Sequence, residues 1–331
     1  MEDIKVSVLC LVYNHEKYIR DCLEGFVMQK TDFKYEVLIH DDASTDNSAA
    51  IIREFEEKYP DIIKPIYQTE NQYSKGVKIT REFQYPRARG KYLALCEGDD
   101  YWIDPYKLSK QVEYMDAHPD CTFCFTNGYI DDMANGAKRR DFIPFNRNDE
   151  KFFRNESRRY TLDDMHELTF VPTASFLYSR DVLMKALEHM NEKCPTADLR
   201  IRLYLTSYGY AYYINDKTCV YRQNVQGSAM SGWKKQDRKA KYIHSELIVN
   251  MITKLDRLTE GKHSEGLYKC NYPYVCALLY SSTGFKALQN PLYKKVYKSF
   301  TLSRKLKFTI KALTPDFLLK LIQKYKAQGR I

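Results

Sequence analysis

The sequence predicts an α/β protein built on a doubly wound, mainly parallel sheet, followed by a helical, basic C-terminal extension. Three observations predict it. Apolar, β-branched runs alternate with segments of helical periodicity through the first third of the chain. Three of those runs end in polar clusters, Tyr13-Asn14, Asp41-Asp42 and Asp99-Asp100. From Trp233 onward the apolar spacing becomes helical, and the charge changes sign.

Val6 to Val12 reads as a buried first strand. Glu16 to Gln29, with Ile19, Leu23, Phe26 and Val27 apolar, suits an amphipathic helix. Tyr35 to His40 is a second strand. Asn47 to Tyr59 is a helix that Ser44 or Asp46 can cap and Pro60 closes. Ile62 to Gln68 is a third strand, Thr80 to Arg89 a helix interrupted by Pro86, and Lys91 to Leu95 a fourth strand. A helix over Asp104–Met115 and a strand over Thr122–Ile130 follow. The charged stretch Asp131–Asp164 reads as a long, mobile loop with little core. Val171–Tyr178 is a strand or a loop, Asp181–Met190 and Leu199–Ser207 are helices, and Tyr210–Ile214 and Cys219–Arg222 are two short strands. Helices are expected over Tyr242–Leu258, Leu267–Leu288 and Phe308–Lys326. The expected division is an α/β domain over 1–232 and a helical basic extension over 233–331.

The 331 residues, 44% hydrophobic and 14% aromatic, are enough for a packed α/β domain with an appendage. No run approaches the ~18 apolar residues that span a bilayer. The start, Met1-Glu2-Asp3-Ile4-Lys5, lacks the basic and small-residue pattern of a secretory leader. Nine scattered cysteines fit a reducing compartment. The single CxxC, Cys121-Thr122-Phe123-Cys124, lies in a strand-like run and reads as buried thiols, not a zinc site. The net charge of +9 sits in the tail: residues 286–331 hold 12 Lys/Arg against Asp316, leaving −2 for residues 1–285. No nucleic-acid module accompanies that basic tail, so nucleic acid is not expected as a partner. A solvated helical face is the plain alternative to attachment at an anionic membrane surface. Localisation is expected to be cytoplasmic, peripheral on the inner membrane face.

Ligands of such sheets bind at the carboxyl ends of the strands. Neither G-x-G-x-x-G nor the P-loop pattern occurs, so dinucleotide and P-loop phosphate cradles are missing. Leu95-Cys96-Glu97-Gly98-Asp99-Asp100-Tyr101-Trp102 places three carboxylates within four residues, a density that suits a hard divalent cation, Mn²⁺ or Mg²⁺. A nucleoside diphosphate sugar matches these parts. Tyr13 can stack on the base, a carboxylate of Asp41-Asp42 can accept from it, and Asp99 and Asp100 can hold a metal that neutralises the diphosphate. One further carboxylate suffices to deprotonate an acceptor hydroxyl for direct inversion.

The blocks Ser7–Asn14, Glu36–Asp46 and Ala88–Trp102, in that order and spacing, resemble family 2 glycosyltransferases over about residues 4–232. The resemblance implies a GT-A fold, a nucleotide-sugar donor, and a hexosyl- or N-acetylhexosaminyltransferase that inverts the anomeric carbon. It also implies polysaccharide biosynthesis on a glycan or lipid-linked acceptor. By position it makes Tyr13 and Asp42, with Asp41 beside them, nucleobase contacts. It makes Asp100 the metal-binding acid, Asp99 its sugar- or ribose-facing neighbour, and Asp198 the catalytic base.

The sequence also departs from the family pattern. Ala197 stands where relatives often have an acid, and no His lies between His189 and His244 to serve as a further metal ligand. Arg222 can instead meet the diphosphate. Local roles compete: Tyr13 as a half-buried strand-end aromatic, and Asp42, Ser44 or Asp198 as helix caps. His15 and His40 read as solvated or hydrogen-bonded rather than ligating. The rival from another class is a non-catalytic nucleotide-sugar-binding or scaffold protein on the same fold.

Overall fold

The computed structural model describes residues 3–136, 138–225, 238–281, 284–314 and 318. The chain divides into two compact units, Met1–Asn191 with Ala197–Gly232, and Glu192–Thr196 with Trp233–Ile331.

In the first unit, β1 (Ile4–Val12), α1 (Ile19–Val27), β2 (Lys34–Asp41), α2 (Ser48–Lys58), β3 (Ile63–Tyr67) and β4 (Tyr92–Leu95) follow the expected alternation. Then come β5 (Tyr101–Trp102), α3 (Lys107–Ala117), β6 (Cys121–Asp132), β7 (Lys138–Asp141), β8 (Arg158–Tyr160), β9 (Leu177–Ser179), α4 (Arg180–His189), α5 (Ala197–Thr206) and β10 (Tyr210–Gln223). The strands form one sheet in the order β3-β2-β1-β4-β9-β6-β10-β5, with β7 added to β6 and β8 to β10. β3, β2, β1 and β4 are mutually parallel, as the alternation requires. Beyond β4 the sheet is mixed: β9 runs antiparallel to β4 and β6, β10 parallel to β6, and β5 antiparallel to β10.

Three local readings change. Thr80–Gln84 is a π-turn followed by a 3-10 turn over Tyr85–Arg87, not a regular helix, and Pro86 falls inside that second turn. The two short strands expected around Asn215–Lys217 are one strand, β10, which crosses the polar residues by register shifts between Ile214 and Cys219. The charged stretch after β6 does contribute core: Phe142, Ile143 and Tyr160 are buried. Cys121 and Cys124 are buried as expected, and among the described residues no cysteine forms a disulfide.

β1 and β2 are covered on both faces, and the core forms on the face that is apolar. Val6, Val8, Cys10 and Val12 pack with Ile19, Cys22, Leu23 and Phe26 of α1. Gly25 lets α1 lie directly on β5, since a Cβ there would come within 2.8 Å of the Trp102 carbonyl oxygen. Phe26 meets Trp102 edge to face at 4.9 Å, and the indole N–H donates to the Ala174 carbonyl at 2.7 Å. Trp102 is therefore a core pillar under the site loop.

In the second unit, α6 (Arg238–Leu258), α7 (Ser264–Ser281), α8 (Pro291–Lys298) and α9 (Leu302–Leu313) enclose their own core of Val249, Val275, Leu278, Val296, Phe300 and Phe308. The last helix starts earlier than its expected span, where the Thr301 hydroxyl accepts from the Arg304 N–H at 3.4 Å. Apart from Leu318, the remainder of the expected Phe308–Lys326 helix lies outside the described residues.

A buried polar network ties β1, β2 and the approach to β4 together. The Ser7 hydroxyl donates to Glu36 Oε1 at 2.7 Å and accepts from the Gly90 N–H at 2.8 Å. Glu36 also accepts from the Arg89 N–H at 3.0 Å and from Arg89 Nε at 2.9 Å. Burial alone would raise the Glu36 carboxyl, but the hydrogen bonds from Arg89 and Ser7 reverse that and hold it below its ordinary value. A depressed carboxyl stabilises the fold above the ordinary glutamate range, and the benefit is lost as pH falls through the depressed value. Because Arg89 is largely exposed, we expect Glu36→Gln to cost about 2 kcal/mol at pH 7 by urea denaturation, with the gap closing under acid. Equal stability of the two proteins at pH 7 would rule the network out as a fold determinant.

Candidate active site

The first two strand-end loops are locked to each other. Asn14 and Ala43 adopt left-handed φ angles of 57° and 63°. That conformation is ordinary for Asn and less so for Ala. The Asn14 N–H donates to the Ser44 hydroxyl at 2.9 Å, and the Thr45 N–H donates to Asn14 Oδ1 at 2.8 Å. Asp46, not Ser44, serves the start of α2, accepting from the Ser48 N–H at 2.9 Å and from the Glu16 N–H at 3.0 Å.

The third loop crosses the end of β1. The Cys96 and Gly98 N–H groups donate to the Leu9 and Leu11 carbonyls at 3.2 and 2.9 Å. Gly98 is pressed on the strand end, where a Cβ would come within 2.8 Å of His15 Nδ1. The turn then closes through the Asp100 N–H to the Glu97 carbonyl at 3.0 Å. β10 pairs with β5 at Cys219–Trp102 and Val220–Tyr101, which carries Arg222 to the turn. The Arg222 N–H donates to Asp100 Oδ1 at 2.8 Å, and its Nη1 donates to the Asp99 carbonyl at 2.9 Å. Nη2 pairs with Asp21 of α1, and the guanidinium lies 4.2 Å from the Tyr101 ring centre.

The result is a crowd of carboxylates into which the Arg222 guanidinium is bound. Asp100 is 1% exposed, and its Oδ2 has no hydrogen-bond partner among the described residues. Burial, then the charge of Asp99, push its carboxyl well above the usual range. Glu97 is open to water on its own surface yet ringed by protein. That surrounding, with the charges of Asp99 and Asp198, pushes it up to about 7. Asp198 stands in the first turn of α5 and is raised by burial, partly offset by Arg202. His15 of the first loop, lowered by burial, lies in the fields of Asp99, Asp46 and Asp41, so acids of the second and third strand-end loops meet around it.

The pair Asp41-Asp42 separates into two environments. Both Asp42 oxygens accept backbone N–H groups, from Gln72 at 2.8 Å and Tyr73 at 3.0 Å, so Asp42 anchors the loop over Asn71–Gly76. Asp41 keeps a buried Oδ1 without a hydrogen-bond partner among the described residues. Tyr13 is 46% exposed at the rim. His40 is wholly buried against Phe83, and its Nε2 is 3.6 Å from Asp42.

Two groups escaped the sequence reading. Asp21 pairs with Arg222 across most of the chain, and no local pattern announces that. Tyr221 lies in the fields of Asp100, Glu97, Asp99 and Asp198. Phe142 and Phe170 meet Tyr221 nearly perpendicular, with centroids 5.7 Å away in each case, and Phe145 packs on both. An aromatic wall thus borders the acids. The alternation Phe142, Phe145 within a charged stretch was its one sequence signal.

Comparison with known proteins shows the family and the fold. The glycosyl transferase family 2 profile matches residues 7–187, more than half of the chain, and the chain belongs to that family. An uncharacterized Mycobacterium tuberculosis protein is 42% identical over 175 residues, 53% of this chain and 47% of that protein. The chain therefore spans about half the length of that relative. The putative teichuronic acid biosynthesis glycosyltransferase TuaG of Bacillus subtilis is 29% identical over 243 residues, 73% of this chain and 88% of TuaG. The crystal structure of S. aureus TarS 1-349 in complex with UDP-GlcNAc matches with a TM-score of 0.62 at 17% identity, covering 99% of this chain and 93% of that one. The fold is GT-A.

Arg222→Leu keeps the backbone N–H on Asp100 but removes both guanidinium contacts. Asp21 is half exposed, so the buried bond to the Asp99 carbonyl dominates. We expect a loss of about 1–2 kcal/mol in urea unfolding. A loss below about 0.5 kcal/mol, the usual range of surface changes, would mean that the guanidinium does not hold the loop.

Proposed function

We propose that the chain is an inverting, metal-dependent transferase that moves a sugar from a uridine diphosphate donor to a hydroxyl of a surface glycan or lipid-linked acceptor. The observation that supports this most is the buried, partnerless Oδ2 of Asp100 among Asp99, Glu97 and Asp198 at the carboxyl ends of parallel strands. An isolated buried carboxylate oxygen in an acidic cluster is a poor resting arrangement unless a cation or proton joins it. Among the described residues, no group of three or more His, Cys, Asp or Glu is placed to hold a metal alone. Asp100 therefore fits a Mn²⁺ or Mg²⁺ whose remaining ligands are diphosphate oxygens and water. Such an ion supplies charge neutralisation of the departing diphosphate.

The chain's own residues do the rest. Exposed Tyr13 stacks on the base, and Asp41 faces it while Asp42 fixes the neighbouring loop. Arg222 holds the Asp99–Asp100 turn and adds positive charge beside the proposed metal-binding acid, which suits a diphosphate. Asp198 takes the proton of the acceptor hydroxyl. The acceptor oxygen bonds to the anomeric carbon as the bond from that carbon to the diphosphate oxygen breaks, with inversion. The rings of Phe145, Phe170 and Tyr221 offer an apolar face to the acceptor. The UDP-GlcNAc bound by TarS and the polysaccharide role in TuaG's name accord with this donor and acceptor class.

A second reading makes Glu97 the base, because a carboxyl raised to about 7 and open to water is tuned for proton transfer near neutrality. Asp198→Asn should retain donor binding by thermal shift and lose turnover by roughly 10²–10⁴-fold, measured as UDP release from UDP-sugars with Mn²⁺. Wild-type turnover in Asp198→Asn, with loss in Glu97→Gln, would move the role to Glu97. Donor binding without release of UDP by the unaltered protein would favour the non-catalytic binding protein.

A further inference from the structure

Helix α9 has two apolar faces, and among the described residues only one of them has a partner. Phe308 is 0% exposed and packs on Tyr297 and Phe285, with ring centroids at 5.1 and 5.9 Å. On the other side Leu302 is 85% exposed, Leu306 61%, Ile310 57% and Leu313 69%. At about 100° per residue these four fall within a sector of about 80°, centred opposite Phe308. They form one continuous stripe along a helix about 18 Å long. Scattered exposed leucines are ordinary, but an aligned stripe of four on a helix already anchored by its other face marks a contact surface.

The charges around the stripe say what contacts it. The helix carries Arg304, Lys305, Lys307 and Lys311 and no acid. Lys305 and Lys307 flank the bare sector, each about 60° beyond its edge. The preceding α8 adds Lys294, Lys295 and Lys298, again with no acid. A second copy of this surface would meet it with like charge. A bilayer bearing anionic headgroups matches both elements, the apolar stripe entering the acyl boundary and the lysines lying at headgroup level. Among the described residues no helix is long and apolar enough to cross a membrane, so the contact is in the plane of the surface.

We propose that α9 is an in-plane anchor that seats this unit on an anionic lipid bilayer through Leu302, Leu306, Ile310 and Leu313. The inference is independent of the transferase reading, because none of these residues belongs to the acidic site.

The test is co-sedimentation of the full chain with vesicles of equimolar phosphatidylglycerol and phosphatidylcholine, and with phosphatidylcholine alone. We expect binding to the anionic vesicles, weakened by raising NaCl from about 0.1 to 0.5 M, and little binding to phosphatidylcholine. Leu306→Glu with Ile310→Glu should reduce partitioning at least roughly tenfold, with circular dichroism and UDP binding by thermal shift unchanged. Lys305→Gln with Lys307→Gln, which leaves the apolar stripe whole, should lower binding at low salt and flatten the salt dependence. Three outcomes would overturn the proposal: no sedimentation of the unaltered chain with anionic vesicles, unchanged partitioning of both double variants, or light scattering that shows a dimer lost in Leu306→Glu with Ile310→Glu while vesicle binding persists.

Discussion

The backbone N–H of Arg222 on the carboxylate of Asp100 is the contact on which the site depends. It joins the end of β10 to the turn after β4, two segments that meet only because β5 reverses and pairs with β10. It takes one oxygen of Asp100 and leaves the other without a partner among the described residues. The same residue's guanidinium reaches the Asp99 carbonyl and Asp21 of α1, so a single side chain secures the turn from two sides. Without it, the like charges of the turn would be held only by backbone hydrogen bonds to β1 and within the turn.

That arrangement explains why the Glu97 and Asp100 carboxyls are raised rather than depressed. Elsewhere in the chain an acid under cover is matched by donors, as Glu36 is by Arg89 and Ser7. At the turn the acids see burial and each other. A fold tolerates such a site when a ligand relieves it, which is a general reason why strongly shifted groups gather at working sites. The aromatic wall beside Tyr221 lowers the local dielectric further and strengthens every charge interaction in reach.

The parallel half of the sheet was legible because its strands are unbroken apolar runs and its acids fall just after them, as at Asp41 and Asp99. The membership of Tyr13, Asp41, Asp42, Asp99 and Asp100 in the strand-end loops followed from that pattern. What each does there did not. Asp42 turned out to anchor the Asn71–Gly76 loop, since acceptance of two backbone N–H groups depends on a segment 30 residues away. The pairing of Arg222 with Asp21 spans 201 positions and has no local signature. The stretch after β6 was read as core-poor because its charges outnumber Phe142 and Ile143, yet those two are buried. β10 was split at Asn215–Lys217 because polar residues look like a turn, whereas register shifts carry the strand through them.

The account rests on Asp100 holding a divalent ion together with a diphosphate. Titration calorimetry of UDP, with and without Mn²⁺, tests this in the unaltered chain and in Asp100→Asn, which keeps an oxygen for the Arg222 N–H. The account predicts that Mn²⁺ tightens UDP binding by roughly tenfold or more in the unaltered chain and has no effect in the variant. The same Mn²⁺ enhancement in Asp100→Asn, with the fold intact, would contradict it.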